Sequence, residues 1–165
     1  RQLAKTGVLR SAYMLGNGEE VMLAATDLLA ETKVAPELSN EAHYYRAKAY
    51  LDAGKVEGAM DDLKILAKDT RNIYGAEAKY KVAQIYFDAG QTGQAEKEVL
   101  DYIEVSTPHT YWLARSFVLL SDVYMKLGRN LDAKQYLLSL KQNYQADDDI
   151  AGMIESRLNK LNAEN

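Results

Sequence analysis

The chain of 165 residues contains no cysteine, only two prolines and ten glycines. Without cysteine the protein has no disulfide, no thiolate metal ligand and no cysteine nucleophile. This absence suits a reducing and an oxidising compartment equally well. The scarcity of proline and glycine leaves long stretches without a helix breaker, so the composition favours helix.

A charge excess of one sign and a long apolar run are also missing. The 20 basic and 24 acidic residues give a net charge of −4, which provides no basic footprint for nucleic acid. No apolar run approaches the roughly 18 residues that a membrane span needs. The sequence begins with neither a methionine nor a signal-peptide pattern. We therefore expect it to be the C-terminal part of a longer chain.

What the sequence does contain is a repeated pattern: YLDAG at 50–54, YFDAG at 86–90 and YMKLG at 124–128. Four glycines separated by 36, 36 and 38 residues anchor this repeat, namely Gly18, Gly54, Gly90 and Gly128. Large side chains stand four residues before them, at Met14, Tyr50, Tyr86 and Tyr124. Small residues stand seven before all four glycines, at Ser11, Ala47, Ala83 and Ser121, and five after the last three, at Ala59, Ala95 and Ala133.

These spacings have a helical explanation, because steps of three and four residues place side chains on one face of a helix. A glycine suits the left-handed position that ends a helix. Each unit therefore indicates two antiparallel helices joined by a tight turn. We expect helices near 3–15, 19–33, 39–53, 56–69, 74–89, 92–105, 108–127, 130–144 and 148–162. Ser39 is expected to cap the third helix, and Thr107 and Pro108 to begin the seventh.

The motif small-x-x-Tyr-x-x-x-Gly-x-x-x-x-Ala resembles the tetratricopeptide repeat (TPR), a helix-turn-helix unit of about 34 residues. The resemblance covers residues 4–145 and is weaker in the first unit, where Met14 replaces the aromatic residue and Leu23 stands where alanine is expected. It implies a single all-α domain over 1–165, a right-handed α-α superhelix. The implied units lie near 3–37, 38–71, 74–107 and 108–145, with a capping helix near 148–162. The pattern also resembles bacterial envelope TPR proteins, which slightly favours the cell envelope as the location.

In this family the first helices of successive units line a concave surface that binds polypeptides. The resemblance places Lys5 and Val8 of the first unit there, followed by Glu41, Tyr44, Lys48, Asp52, Glu77, Tyr80, Gln84, Phe87, Asp88, Arg115, Asp122, Met125 and Lys126. The mixture of tyrosines with both charge signs suits a polypeptide ligand. The lysines and asparagines with which some members clamp a terminal carboxylate are not matched, since the corresponding positions are Val8, Tyr44, Tyr80, Val118, Ala12, Lys48, Gln84 and Asp122.

No catalytic or metal-binding constellation is evident. His43 and His109 are the only histidines and have no second ligand at metal-like spacing. The acidic run 147–149 lacks the alternating ligands and central glycine of a calcium loop. The GNG stretch at 16–18 lacks the preceding strand of a phosphate loop. We predict no enzymatic activity, no metal and no cofactor.

The leading hypothesis is a non-catalytic scaffold that binds a protein or peptide along the concave surface. Two alternatives stay open: a structural or self-associating repeat segment, and a regulatory repeat region attached to a domain outside this chain. Tyr50, Tyr86 and Tyr124 are expected to pack between helices. Tyr44 and Tyr80 suit packing and binding equally, and Trp112 is expected to pack more than to bind. The sequence does not identify the partner.

Overall fold

The computed structural model describes residues 1–105 and 107–163, and within that range every regular element is an α-helix. The helices are α1 (Gln2–Met14), α2 (Gly18–Leu29), α3 (Pro36–Asp52), α4 (Val56–Leu66), α5 (Ile73–Asp88), α6 (Thr92–Glu104), α7 (Thr110–Lys126), α8 (Asn130–Asn143) and α9 (Ile150–Ala163). The predicted all-helical class is confirmed. Across the described residues, none of these helices has the length and apolar character to cross a bilayer.

The chain forms two compact units, the first over Arg1–Ala78 and the second from Lys79 onward. The first contains α1 to α4 and the start of α5; its core is built from small and branched side chains of α1, α2 and α3, among them Leu9, Val21, Ala25, Leu28 and Ala42. The second contains the rest of α5 and α6 to α9, and its core is richer in large side chains, among them Tyr102, Leu119, Leu120, Leu137 and Ile154. The finer division into four repeats stays a prediction.

Three of the anchoring glycines end their helices in the left-handed conformation, with φ of 74° at Gly54, 79° at Gly90 and 76° at Gly128. The residue after each glycine donates its N–H to the carbonyl of the tyrosine five residues earlier, at 2.8 to 2.9 Å. This bond satisfies a carbonyl that the helix end leaves without a partner. The Tyr-x-x-x-Gly spacing is therefore a helix-ending device.

The first repeat, predicted near 3–37, corrects the predicted register. Its left-handed glycine is Gly16, with φ of 71°, and not Gly18, which is the first residue of α2. Asn17 decides this, because its side chain accepts the N–H of Glu20 at 3.3 Å and fixes the start of α2. The predicted repeat residues Ser11 and Met14 are accordingly exposed, as is Leu23 at the position where alanine is expected. The buried side chains at the corresponding distances from Gly16 are Leu9, Ala12, Val21 and Ala25.

Two helix starts also differ from the prediction. Ser39 does not cap α3, which begins three residues earlier at Pro36. Proline fits there because its fixed φ is helical and its missing N–H is not needed in the first turn. Pro108 does not begin α7, which starts at Thr110. The Thr107 hydroxyl accepts the N–H of His109 at 3.1 Å, and this local turn delays the helix.

Two helices end three or four residues before their predicted limits. Helix α2 stops at Leu29, and the left-handed Lys33, with φ of 60°, turns the chain toward α3. Helix α4 stops at Leu66, where Gly75 of α5 approaches the carbonyls of Leu66 and Asp69 so closely that a Cβ would overlap both. The exit from α4 is therefore shaped by contact with α5.

The small residues of the repeat are buried, with exposed fractions of 1% or less at Ala47, Ala59, Ala83, Ala95, Ser121 and Ala133. Among the repeat tyrosines, Tyr124 is buried while Tyr50 and Tyr86 are half-buried. The small residues therefore lie where the helices approach one another most closely, and the tyrosines border those contacts.

Candidate polypeptide-binding site

The predicted surface residues follow helical stripes. In the first unit, Glu41, Tyr44, Lys48 and Asp52 recur every three or four residues along α3, and Glu77 stands near the start of α5. In the second unit, Tyr80, Gln84, Phe87 and Asp88 form a stripe on α5, whereas Arg115, Asp122, Met125 and Lys126 form one on α7. The two units are described separately below.

In the first unit the stripe contains a hydrogen-bonded cluster around Glu77. The Tyr44 hydroxyl donates to the Glu77 carboxylate, at 3.0 and 3.2 Å from its two oxygens. Lys48 Nζ lies 3.6 Å from the same carboxylate, and the Tyr44 ring packs on Tyr74 with ring centres 4.5 Å apart. Burial, reinforced by the nearby negative charge of Glu77, raises the pKa of Tyr44. The Tyr44 hydroxyl is thus engaged within its own unit.

Glu41 is bound just as firmly. The Arg10 guanidinium donates to both of its carboxylate oxygens, at 2.6 and 2.9 Å. This hydrogen bond is the main cause that holds the pKa of Glu41 below its ordinary value. Next to it, Tyr13 stacks on Tyr45 with ring centres 3.9 Å apart. On this face of the first unit, both glutamates of the stripe have basic partners, while Asp52 is exposed.

A buried ion cluster also lies in the first unit, and no motif or spacing in the sequence predicts it. Asp62 on α4 is 1% exposed and accepts two hydrogen bonds from Arg46, at 2.7 and 2.9 Å. His43 Nδ1 lies 2.7 Å from the same carboxylate. Burial opposes the ionised form of Asp62, but hydrogen bonds from His43 and Arg46 outweigh it and lower the pKa of Asp62. The cluster joins α3 to α4 and brings no third acidic or histidine ligand with it.

In the second unit the stripe is centred on Arg115. Its guanidinium donates to the Tyr80 hydroxyl at 3.0 Å and to the Tyr111 hydroxyl at 2.9 Å, and it lies 4.8 Å from the centre of the Tyr80 ring. Trp112 borders this group, with its ring centre 5.6 Å from that of Tyr80. The Tyr111 hydroxyl in turn donates to Asp149 at 2.8 Å. Arg115 is therefore half-buried among aromatic rings.

Arg115 differs from the other six arginines of the chain in its partners. The other six each contact a carboxylate, in the pairs Arg1–Glu31, Arg10–Glu41, Arg46–Asp62, Arg71–Asp69, Arg129–Asp132 and Arg157–Asp122. Within residues 1–105 and 107–163, no carboxylate lies within 4.0 Å of the Arg115 guanidinium. Tyrosine hydroxyls are its only hydrogen-bond partners in that range.

A cleft of about 350 Å³ lies further along α7 and is lined by Phe87, Asp122, Met125, Lys126 and Lys160. The Asp122 carboxylate is bound at both oxygens by Arg157 of α9, at 2.7 and 2.9 Å. No described side chain forms a hydrogen bond or ion pair with Lys126 or Lys160. The cleft therefore combines two apolar side chains, Phe87 and Met125, with two lysines that have no partner among the described residues. Four of its five lining residues belong to the predicted surface; Lys160, on the predicted cap, does not.

Gln84 and Asp88 complete the stripe on α5. The Gln84 side chain accepts from the Tyr80 hydroxyl at 2.9 Å and donates to Asp88 at 2.8 Å. A metal centre is not evident in the part of the chain that the structure describes, where no three histidine or acidic side chains gather. The chemistry available on this face is thus hydrogen bonding, ion pairing and aromatic contact.

Comparison with known proteins identifies the fold. Two solved structures, both described as a kinesin light chain with nearly identical TPR-like repeats from Podosopora anserina, match 99% of this chain. One gives a TM-score of 0.60 at 15% identity over 93% of its own length, and the other 0.58 at 16% over 94%. No protein-family model and no curated protein matches. The fold is a TPR-like, all-α helical repeat of the α-α solenoid class, as predicted.

TPR-like repeats generally mediate protein–protein interaction and are typically non-catalytic. At this level of identity the likeness is one of fold alone. The predicted surface residues, and the right-handed superhelix, stay predictions.

Proposed function

We propose that the protein is a non-catalytic scaffold that binds a polypeptide segment along the stripes of α5 and α7 in its second unit. The observation that carries this proposal is the cleft of about 350 Å³, which is lined by the apolar side chains of Phe87 and Met125 and by two lysines that have no partner among the described residues. Peptide sites combine apolar contacts with a few polar groups that fix orientation. The aromatic group around Trp112 extends the same face toward the start of α7.

The test is a selection of random dodecamer peptides against the whole chain, followed by titration of each enriched peptide. Trp112 is the only tryptophan, so its fluorescence reports events near the aromatic group. A Phe87→Ala/Met125→Ala variant removes the two large apolar side chains that line the cleft. Its matched control is Leu100→Ala/Leu131→Ala, which removes two exposed apolar side chains from α6 and α8 of the same unit.

We expect enriched peptides to bind the cleft variant about tenfold more weakly or worse, because a well-packed apolar anchor commonly contributes a hot spot of binding. The control should bind as the unaltered chain does, and circular dichroism should show both variants folded. Absence of any enriched peptide, or equal binding to both variants, would contradict the proposal. The envelope location stays a separate prediction, tested by fractionation of cells that express the full-length protein.

Self-association is the second candidate, and a different observation favours it. Four large apolar side chains on α1, α2 and the turn between them are 73% to 83% exposed: Leu3, Met14, Leu15 and Leu23. Met14 and Leu15 are adjacent in the chain, and contiguous exposed apolar surface commonly marks an interface. Sedimentation over a concentration series tests this candidate: a dimer that Leu23→Glu dissociates would support it, and a monomer at the highest concentration would reject it.

A further inference from the structure

The turn glycines define equivalent positions in successive repeats. Thirteen residues before Gly54, Gly90 and Gly128 stand Glu41, Glu77 and Arg115. Six residues before Gly16, Gly54, Gly90 and Gly128 stand Arg10, Lys48, Gln84 and Asp122. The first set is thus acidic twice and then basic. The second set is basic twice, then neutral, then acidic.

These two sets of positions pair with each other in a regular way. In the first unit, Arg10 binds Glu41 and Lys48 lies 3.6 Å from Glu77. In the second unit the charges are reversed: the residue six before the turn glycine is the acid, Asp122, and its partner is the basic Arg157 of α9. We call each such pair a rung.

One rung lacks its acid. Arg115 and Gln84 share the Tyr80 hydroxyl, which accepts from Arg115 at 3.0 Å and donates to Gln84 at 2.9 Å. The pattern would require an acid at position 84, but glutamine is neutral. Asp149 reaches Arg115 only through the Tyr111 hydroxyl. A half-buried guanidinium that donates only to neutral oxygens retains the capacity to bind a carboxylate, which forms much stronger hydrogen bonds with it.

The opposite end of the α7 stripe shows a second charge reversal. Two residues before Gly54 and Gly90 stand Asp52 and Asp88, whereas two residues before Gly128 stands Lys126. Lys126 shares the cleft with Lys160 of α9. Because Arg157 neutralises Asp122, the acidic residue between the two ends does not offset these cations. The second unit therefore presents positive charge at both ends of one stripe.

We propose that this face binds an extended acidic segment of a partner protein, with one carboxylate on Arg115 and a second on Lys126 and Lys160. Eleven residues of helix separate Arg115 from Lys126, which is about 16 Å at 1.5 Å per residue. An extended peptide covers this distance in about five residues. An apolar side chain between the two acids meets Phe87 and Met125 in the cleft. This inference rests on the proposed function and specifies its ligand.

The probe is a peptide with blocked ends and two glutamates five positions apart, with a leucine between them. Two control peptides accompany it: the same peptide with both glutamates changed to glutamine, and a peptide with the two glutamates only two positions apart. Binding to the whole chain is followed by fluorescence anisotropy of a dye on the peptide. Relative to the diglutamate peptide, we expect the diglutamine peptide to bind at least about tenfold more weakly. The short-spaced peptide should bind about threefold more weakly, because it reaches only one of the two cationic sites.

Variants of the chain assign the effect to residues. Arg115→Gln and Lys126→Gln/Lys160→Gln should each weaken binding of the diglutamate peptide by about three- to tenfold. The charge-matched control Lys97→Gln, exposed on α6, should leave it unchanged. Gln84→Glu supplies the missing acid from within the chain, so it should weaken binding as much as Arg115→Gln does while the protein stays fully folded. Because Gln84→Glu keeps Arg115 in place, weaker binding to this variant would result from neutralisation of the Arg115 charge and not from unfolding.

Each result is decisive. If selected peptides bind the cleft but the diglutamate and diglutamine forms bind equally, the acidic ligand is wrong while the proposed function stands. If no peptide binds the cleft at all, the proposed function fails as well. If Gln84→Glu binds the diglutamate peptide normally, Arg115 is not its receptor. A dimer that the peptide dissociates would assign this face to a second copy of the chain and would also overturn the inference.

Discussion

Tyr44 and Tyr80 hold the same place in two successive repeats, and their hydroxyls face opposite charges. In the first unit, Tyr44 packs on Tyr74 and donates to Glu77. In the second, Tyr80 packs near Trp112 and accepts from Arg115. The backbone and the aromatic pair are repeated, whereas the charge is reversed.

This comparison separates charges that stabilise the fold from charges that are available to a ligand. Glu41, Asp62 and Glu77 of the first unit each have basic partners within it. Removing one partner of such a pair leaves the other charge buried without its counter-charge, which lowers the free energy of unfolding. Arg115 has no carboxylate partner among the described residues. Its removal should therefore weaken ligand binding more than it lowers stability. The predictions below test this division.

The largest effect is expected at the buried cluster of the first unit. Asp62→Ala should lower the free energy of unfolding by about 3–5 kcal/mol, because it leaves Arg46 half-buried without its carboxylate. The measurement is urea unfolding followed by circular dichroism, with hydrogen exchange to locate the loss in α3 and α4. Asp61→Ala removes the same charge from the exposed neighbouring position and should cost less than about 1 kcal/mol. Equal costs would show that the cluster does not stabilise the unit.

Acid should weaken the same unit. The pKa values of Asp62 and Glu41 are lowered in the folded state. Their stabilisation is therefore complete above the ordinary carboxylate pKa of about 4 and is lost as pH falls through the lower folded values. Hydrogen exchange at fixed temperature between pH 6 and pH 3, corrected for intrinsic rates, should show protection in α3 falling at the acid end. Glu41→Gln should reduce that fall, and an unchanged profile would contradict the assignment.

A smaller loss of stability is expected at the Tyr44–Glu77 contact. Glu77→Gln keeps an acceptor for the Tyr44 hydroxyl but removes the charge facing Lys48, so the cost should be about 1 kcal/mol. The variant should also lower the pKa of Tyr44 toward its ordinary value, although burial, the larger cause, remains. Urea unfolding measures the first effect and ultraviolet titration of the tyrosines the second. Asp52→Asn, an exposed acid on the same stripe, should change neither.

The smallest change in stability is expected at Arg115. Arg115→Gln should lower the free energy of unfolding by less than about 1 kcal/mol, because glutamine keeps a donor for the tyrosine hydroxyls and no buried carboxylate is left behind. Trp112 fluorescence in a urea titration reports this unit directly. A loss above about 1.5 kcal/mol would mean that Arg115 serves the fold as the first unit's cations do, and the comparison between the two tyrosines would fail.

Much of the fold could be predicted from the sequence because glycine, alanine and tyrosine recur at helical spacings. The register of the first repeat was predicted wrongly because the stretch GNG contains two glycines. Which of them ends the helix depends on the N-cap that Asn17 provides. The starts of α3 and α7 were missed by two or three residues, where proline and a threonine turn set the boundary.

The candidate site was predictable only as a stripe of residue types. Arg115 and Lys126 both lie on α7, and their lack of acidic partners among the described residues depends on packing between helices. Rungs join residues about thirty apart, such as Arg10 and Glu41, and no local spacing indicates them. The ion cluster of His43, Arg46 and Asp62 and the contribution of Lys160 to the cleft escaped prediction for the same reason.

The most direct test of the account is a charge exchange at Arg115. The diglutamate peptide and a dilysine peptide of the same length are titrated against the unaltered chain and against Arg115→Glu, with circular dichroism confirming that both are folded. The unaltered chain should prefer the diglutamate peptide by about tenfold, and this preference should be lost or reversed in Arg115→Glu. The same preference in both chains would contradict the claim that the unpaired guanidinium of the second unit receives a partner's carboxylate.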